Sequence, residues 1–228
     1  MLIRTDVINF YLSKKIKPIS YLEIGVQDPD ANFNHINANL KDGVDPFPLL
    51  PCKFIMTSDE FFEQNKTKYD IIFVDGDHTF EQVYKDVINS INILKKDGII
   101  IIHDCNPKTE WYQRKRDDIH KLDGPWSGTV WKAFVKLRTE NENIEMFTID
   151  VDCGIGIVIP GRKQKLFSCK ENIYEYEVFS KYRKEALNLI SENEWLIKCT
   201  RNNFVPTVDK GFVKYKCDTL PGLKSRSF

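Results

Sequence analysis

Two apolar runs in this chain each break into an acid and a histidine. Residues 70–74, Asp-Ile-Ile-Phe-Val, lead into Asp75-Gly76-Asp77-His78, and Gly98 with four isoleucines leads into His103-Asp104-Cys105-Asn106. If the runs are neighbouring parallel strands, their ends lie about 4.8 Å apart. Open α/β sheets bind ligands at that edge. Asp75 and Asp104 could share a divalent cation such as magnesium, which favours carboxylates and water. The alternative is that one acid orders a loop while the other binds a ligand amine or hydroxyl. His78 and His103 titrate near neutrality, so either could be a general base. A satisfied structural histidine is the plain alternative for each.

Three other places carry chemistry. Glu23-Ile24-Gly25-Val26-Gln27 closes an apolar run with a glycine, where a ligand can approach the backbone closely; a simple strand-to-helix turn is the bland reading. The dinucleotide fingerprint needs two more glycines, and Gln27 and Asp30 hold those places. No phosphate-binding Gly-x-x-x-x-Gly-Lys is present. Asp45 follows Gly25 by about 20 residues, the spacing at which a carboxylate grips ribose hydroxyls; it could also be an ordinary turn acid before Pro46. Thr57, Ser58 and Asp59 stand at a helix start, where they could meet an adenine edge or simply cap the helix.

These residues need a scaffold. Residues 5–14 carry a broad apolar face and predict a short helix, ended by Pro18. Strands are expected over residues 20–26, 43–46, 54–56, 70–74 and 99–102. Helices are expected over residues 32–40 (weakly), from residue 59, over 79–94 and over 130–138. Residues 144–151 and 154–159 read as two strands around a turn at Asp152-Cys153-Gly154. One long helix is expected over residues 172–195, and an irregular polar tail after Arg201. Alternating strand and helix gives a mostly parallel sheet covered on both faces.

Composition narrows the function. The chain has 228 residues, with 33 basic and 33 acidic side chains and a formal net charge of zero. That argues against a nucleic-acid binder and against capture at an anionic membrane. Six cysteines form no Cys-x-x-Cys pair, and the first 17 residues lack a secretory apolar core. No run reaches membrane-spanning length. Reduced thiols and a cytoplasmic location are expected.

Together the motifs resemble class I S-adenosylmethionine-dependent methyltransferases, in a family-24-like branch often met in polysaccharide and natural-product gene sets. The likeness rests on Tyr21-Leu22-Glu23-Ile24-Gly25-Val26, Gly43-Val44-Asp45-Pro46, Phe73-Val74-Asp75-Gly76-Asp77-His78, Ile102-His103-Asp104 and Trp126-Ser127-Gly128-Thr129-Val130-Trp131-Lys132. It spans residues 20–160. The resemblance implies an α/β, Rossmann-like doubly wound sheet of seven strands, order 3-2-1-4-5-7-6 with strand seven antiparallel. Residues 1–165 would form that domain, and 166–228 a C-terminal helix and polar tail.

The resemblance also implies S-adenosylmethionine as cofactor. Its methionine part would lie near Glu23 and Gly25, its ribose at Asp45 and its adenine at Thr57, Ser58 and Asp59, with Gln27, Asp75 and Gly76 completing the lining. The acceptor, a sugar or other small polar molecule, would approach over Asp75, His78 and Asp104. His78 is the first candidate base and His103 the second, with Asp104 or Asp75 orienting the base or holding a metal. Two departures stand out: Gln27-Asp28-Pro29 replaces a second turn glycine, and Cys105 replaces a third metal ligand. Two rival readings are other chemistry on the same fold, and a non-catalytic partner docking through residues 108–120 or the tail.

Overall fold

The structure is a computed structural model that describes residues 2–115, 124–201, 204–209 and 212–217; from residue 201 onward it is read for backbone alone. Helix α1 (Arg4–Ser13) precedes β1 (Ser20–Ile24), β2 (Leu40–Val44), α2 (Ser58–Gln64), β3 (Tyr69–Val74), α3 (Phe80–Asn92) and β4 (Leu94–Ile102). Then come α4 (Val130–Glu140), β5 (Ile144–Ile149), β6 (Ile155–Pro160), α5 (Tyr176–Leu187), β7 (Leu189–Ile190) and α6 (Glu192–Arg201). A separate antiparallel pair, β8 (Phe204–Asp209) and β9 (Phe212–Cys217), follows.

The main sheet has seven strands in the order β2-β1-β3-β4-β6-β5-β7. Strands β2, β1, β3 and β4 are parallel neighbours, and β6 returns antiparallel between β4 and β5. The expected order is thus kept, with two changes in membership. The strand expected over residues 54–56 shrinks to one parallel bridge, Val44 to Phe54. The seventh strand is instead Leu189–Ile190, parallel to β5 at the far edge.

Ile99, Ile100, Ile101 and Ile102 alternate between two cores. Leu22, Ile72, Ile100 and Ile102 face α2 to α5, where Phe61, Val87, Trp131 and Phe179 cover them. Tyr21, Ile71, Phe73 and Ile101 face α1 and α6, where Ile8, Leu12 and Trp195 cover them. Phe10 of α1 and Trp195 of α6 meet edge to face with centroids 5.0 Å apart. Each fully buried isoleucine of β4 contributes roughly 1.5–3 kcal/mol, so covering both faces holds the rim residues beyond Ile102 on a rigid strand.

Three helical expectations change. Residues 32–40 form only a short turn at Phe33–His35 before β2 begins. Residues 172–195 form two helices. Asn188 caps α5 in the left-handed conformation (φ 46°, ψ 50°), which asparagine tolerates, and the chain turns into β7. The tail expected to be irregular contains β8 and β9. Residues 116–120 of the proposed docking loop, and residues 218–228, lie outside the described residues.

Candidate active site

The carboxyl ends of β1, β2, β3 and β4 make one rim. Gly25 leaves β1 with φ +88°, and a Cβ there would stand 2.2 Å from the Asp75 carbonyl oxygen. The glycine is therefore required by the neighbouring strand end, which packs directly against it. The Gly25 amide donates to the Val44 carbonyl and the Asp75 amide to the Ile24 carbonyl, which extends the ladder past each strand end.

Asp45 lies on this rim, buried, with both oxygens engaged. Oδ2 accepts from the Gln27 amide at 2.8 Å and Oδ1 from the Phe47 amide at 2.7 Å. The Leu49 amide donates to the Gln27 carbonyl at 2.8 Å. The acid thereby clamps the β1 turn to the loop after β2, and each oxygen keeps a second lone pair for a ligand hydroxyl. Phe47, Leu49, Leu50 and Ile55 are exposed around it. Large apolar side chains exposed in one stretch of chain give this loop an apolar surface. Sequence reasoning gave Phe47, Leu49 and Leu50 no role and placed Ile55 in a short strand.

Glu23 points into the core on the α1 side. It accepts from the Tyr21 hydroxyl and from Asn32 Nδ2 at 2.9 Å, and Asn32 accepts from Thr5 at 2.7 Å. Burial pushes its carboxyl up to about 8, although the Tyr21 and Asn32 hydrogen bonds pull the other way. Thr57, Ser58 and Asp59 are engaged by the scaffold. Thr57 and Glu60 form a reciprocal cap on α2. Ser58 and Asp59 each accept from Gln82 Nε2 at 3.1 Å, and Asp59 pairs with Lys85, which ties α2 to α3.

The densest chemistry lies where β3 and β4 end. Val74 and Ile102 are register partners, so Asp75 and His103 follow side by side. His103 Nδ1 is 3.2 Å from Asp75 Oδ1 and 3.2 Å from Asp104 Oδ2, and Nε2 is 3.4 Å from Asp152 Oδ1. Burial disfavours the charged ring, but the three carboxylates outweigh it and hold its pKa well above the ordinary value. Asp75 is driven well below the usual carboxylate range: burial opposes this, and His103 and His78 overcome it. Asp152 is brought down to about 2 against burial, by His103 and Arg4.

His78 completes the group. Its Nε2 is 3.4 Å from Asp75 Oδ1 and its Nδ1 3.6 Å from Asp104 Oδ2. The ring stacks on Trp126, centroids 4.7 Å apart and planes 14° from parallel. Residues 127–129 hold it from behind. The Thr129 amide donates to the His78 carbonyl at 2.7 Å, and a Cβ on Gly128 would meet that carbonyl oxygen at 2.2 Å. Burial lowers the His78 pKa, and Asp75 and Asp104 raise it by more. Asp104 takes a left-handed backbone (φ 59°) and accepts from the Ser127 hydroxyl at 2.9 Å. Strain of this kind gathers at functional sites.

Ligand atoms of Asp75, His78 and Asp104 lie within 4.8 Å of one another. The buried His78 Nδ1 has no hydrogen-bond partner. The set is able to hold a divalent ion. Two carboxylates and an imidazole suit a transition ion better than magnesium, which prefers oxygen throughout.

Asp152 and Arg4 were not foreseen. Arg4 donates to Asp152 through its backbone amide at 2.8 Å and pairs with it through Nη1 at 3.2 Å. Asp152 sits in the β5–β6 turn, which reaches His103 because β6 lies next to β4.

This strand order agrees, apart from its two edge strands, with the seven-stranded Rossmann-like sheet that the resemblance to class I methyltransferases implies. Residues 18–105 match the model of methyltransferase family 24, described as a methyltransferase domain. No curated protein matches the chain. Solved structures that resemble it include a Corynebacterium glutamicum protein, 10% identical over 71% of this chain and 82% of that one, TM-score 0.47. Another is the SAH-bound methyltransferase PaMTH1 of Podospora anserina, 16% identical over 65% and 73%, TM-score 0.44. A third is the O-methyltransferase TomG of Streptomyces achromogenes, involved in tomaymycin synthesis and solved with SAM, 10% identical over 62% and 72%, TM-score 0.42. Among the described residues no helix is long and apolar enough to cross a membrane.

Proposed function

We propose that the protein transfers a methyl group from S-adenosylmethionine to a hydroxyl of a sugar or other small polar acceptor. The observation that carries this reading is the group Asp75, His78, His103 and Asp104 on the same rim as the Gly25 turn and the Asp45 clamp. The cofactor, when bound, supplies an electrophilic methyl on sulfonium. Asp45 would accept from the ribose hydroxyls with its remaining lone pairs, and Phe47, Leu49 and Ile55 would shield the adenine from water.

The chain's own groups then orient the acceptor and take its proton. His78 is the base: its ring is fixed by the Trp126 stack, and Nδ1 is free to receive a proton. His103 acts as a cation that holds Asp75 well below the usual carboxylate range, and Asp75 and Asp104 orient the acceptor hydroxyl and stabilise the charged form of His78. Arg4 and Asp152 hold His103 from its far side.

A second reading is favoured by the same orphaned Nδ1. Asp75, His78 and Asp104 would hold a divalent ion that lowers the pKa of the acceptor hydroxyl. Mass-shift screening of sugars and nucleotide sugars with S-adenosylmethionine tests the activity. A gain of one methyl per acceptor supports it, and no product from any hydroxyl acceptor removes it.

A further inference from the structure

A cavity lies at the edge of the sheet opposite the rim. It measures about 930 Å³ and is bounded by the ends of α1 and α3, the start of β4, the outer ends of β5 and β6, and α6. The four isoleucines of β4 separate Gly98, on its wall, from His103 at the rim, about 17 Å along the strand. The volume is that of a small-molecule site.

Its lining is sharply biased. Lys14, Lys15, Lys95, Lys96, Arg162 and Lys198 converge on it, against two acids, Asp97 and Glu145. The whole chain carries no net charge, so this concentration is local. Lys95 pairs with Asp70 at 2.8 Å and Arg162 with Glu145 at 3.4 Å. Lys14 and Lys198 lie over rings of the wall, 4.8 Å from the Phe10 centroid and 4.6 Å from that of Phe147. Phe10, Phe147 and Trp195, whose rings are otherwise buried in the core, and the partly buried Tyr11 form the base of the cavity. Lys15 is partly buried, and burial pulls its pKa below the ordinary lysine value.

A cationic mouth above an aromatic floor fits a molecule with one anionic end and one flat apolar end. Ammonium groups serve as point charges for phosphate, and rings bind apolar bodies by area and stacking. A solvated basic face would need neither concavity nor aromatic walls. We propose that this cavity binds an organic phosphate monoester with an apolar or aromatic body, at a site separate from the methyl-transfer rim.

Isothermal titration of the full chain with 1-naphthyl phosphate tests this. The expected result is one site per chain, at least tenfold tighter than for inorganic phosphate or 1-naphthol, and unaffected by saturating S-adenosylmethionine. The exposed triple variant Lys96→Glu, Arg162→Glu, Lys198→Glu should lose at least tenfold in affinity, and Lys198→Ala a smaller factor. Neither should change the response to S-adenosylmethionine. Equal affinity in the folded variants would overturn the proposal. So would equal affinity for inorganic phosphate, displacement by S-adenosylmethionine, or binding of long polyanions alone.

Discussion

Asp75 and His103 face each other across neighbouring parallel strands, with the acid's Oδ1 3.2 Å from the ring's Nδ1. The pairing follows from register: Val74 sits beside Ile102, and each chain breaks from the sheet one residue later. Asp104 and Asp152 press on the same ring, and the three carboxylates hold the His103 pKa well above its ordinary value. A ring held so strongly in its charged form is a poor collector of the acceptor's proton, and the proposed mechanism therefore gives that role to His78.

Replacing His78 with alanine should lower kcat by about 10²-fold or more, the range for loss of a positioned base. Affinity for S-adenosylmethionine should change little, because the ring lies on the acceptor side. Steady-state rates and calorimetry on the same preparation check both halves. Unchanged turnover would remove His78 from the chemistry.

Exhaustive dialysis against EDTA should leave turnover within about twofold, because His103 already balances Asp75 and Asp104 electrostatically. Loss of activity restored by manganese or zinc would favour the metal reading through His78.

Glu23 predicts a pH dependence of stability. Its pKa is raised in the fold to about 8, so the folded state favours the protonated form. That contribution is fully present below the ordinary value near 4.5 and is lost as pH rises through about 8. Glu23→Gln keeps a neutral side chain at every pH. Its stability relative to the parent should therefore rise between pH 5 and pH 9, as read by urea denaturation. A parallel pair of pH profiles would contradict the assignment.

Gly25→Ala should destabilise the protein by roughly 3 kcal/mol or more, since it joins a positive φ to a Cβ 2.2 Å from the Asp75 carbonyl oxygen. Chemical denaturation measures this. A change under about 1 kcal/mol would mean that the two strand ends are not packed as described.

The rim was legible because each candidate acid or histidine lies just past an apolar run, and the sheet's topology gathers such ends. Asp45, Asp75, His78, His103 and Asp104 all follow that rule. Asp152 did not, because its place in a tight turn already accounts for an acid there; only the insertion of β6 beside β4 brings it to His103. Thr57, Ser58 and Asp59 illustrate the converse. Their types suit a ligand and a helix cap equally, and contact with Glu60, Gln82 and Lys85 engages them in the scaffold. The break at Asn188 was hidden because one left-handed asparagine inside an amphipathic pattern leaves no trace in periodicity.

Calorimetric titration with S-adenosylmethionine and S-adenosylhomocysteine, on the parent and on Asp45→Asn, reaches the central claim most directly. The account predicts micromolar binding of both ligands to the parent, and at least a tenfold loss in the folded variant, whose amide presents one acceptor oxygen instead of two. No heat with either ligand up to millimolar concentration, or equal affinity in the two proteins, would contradict it.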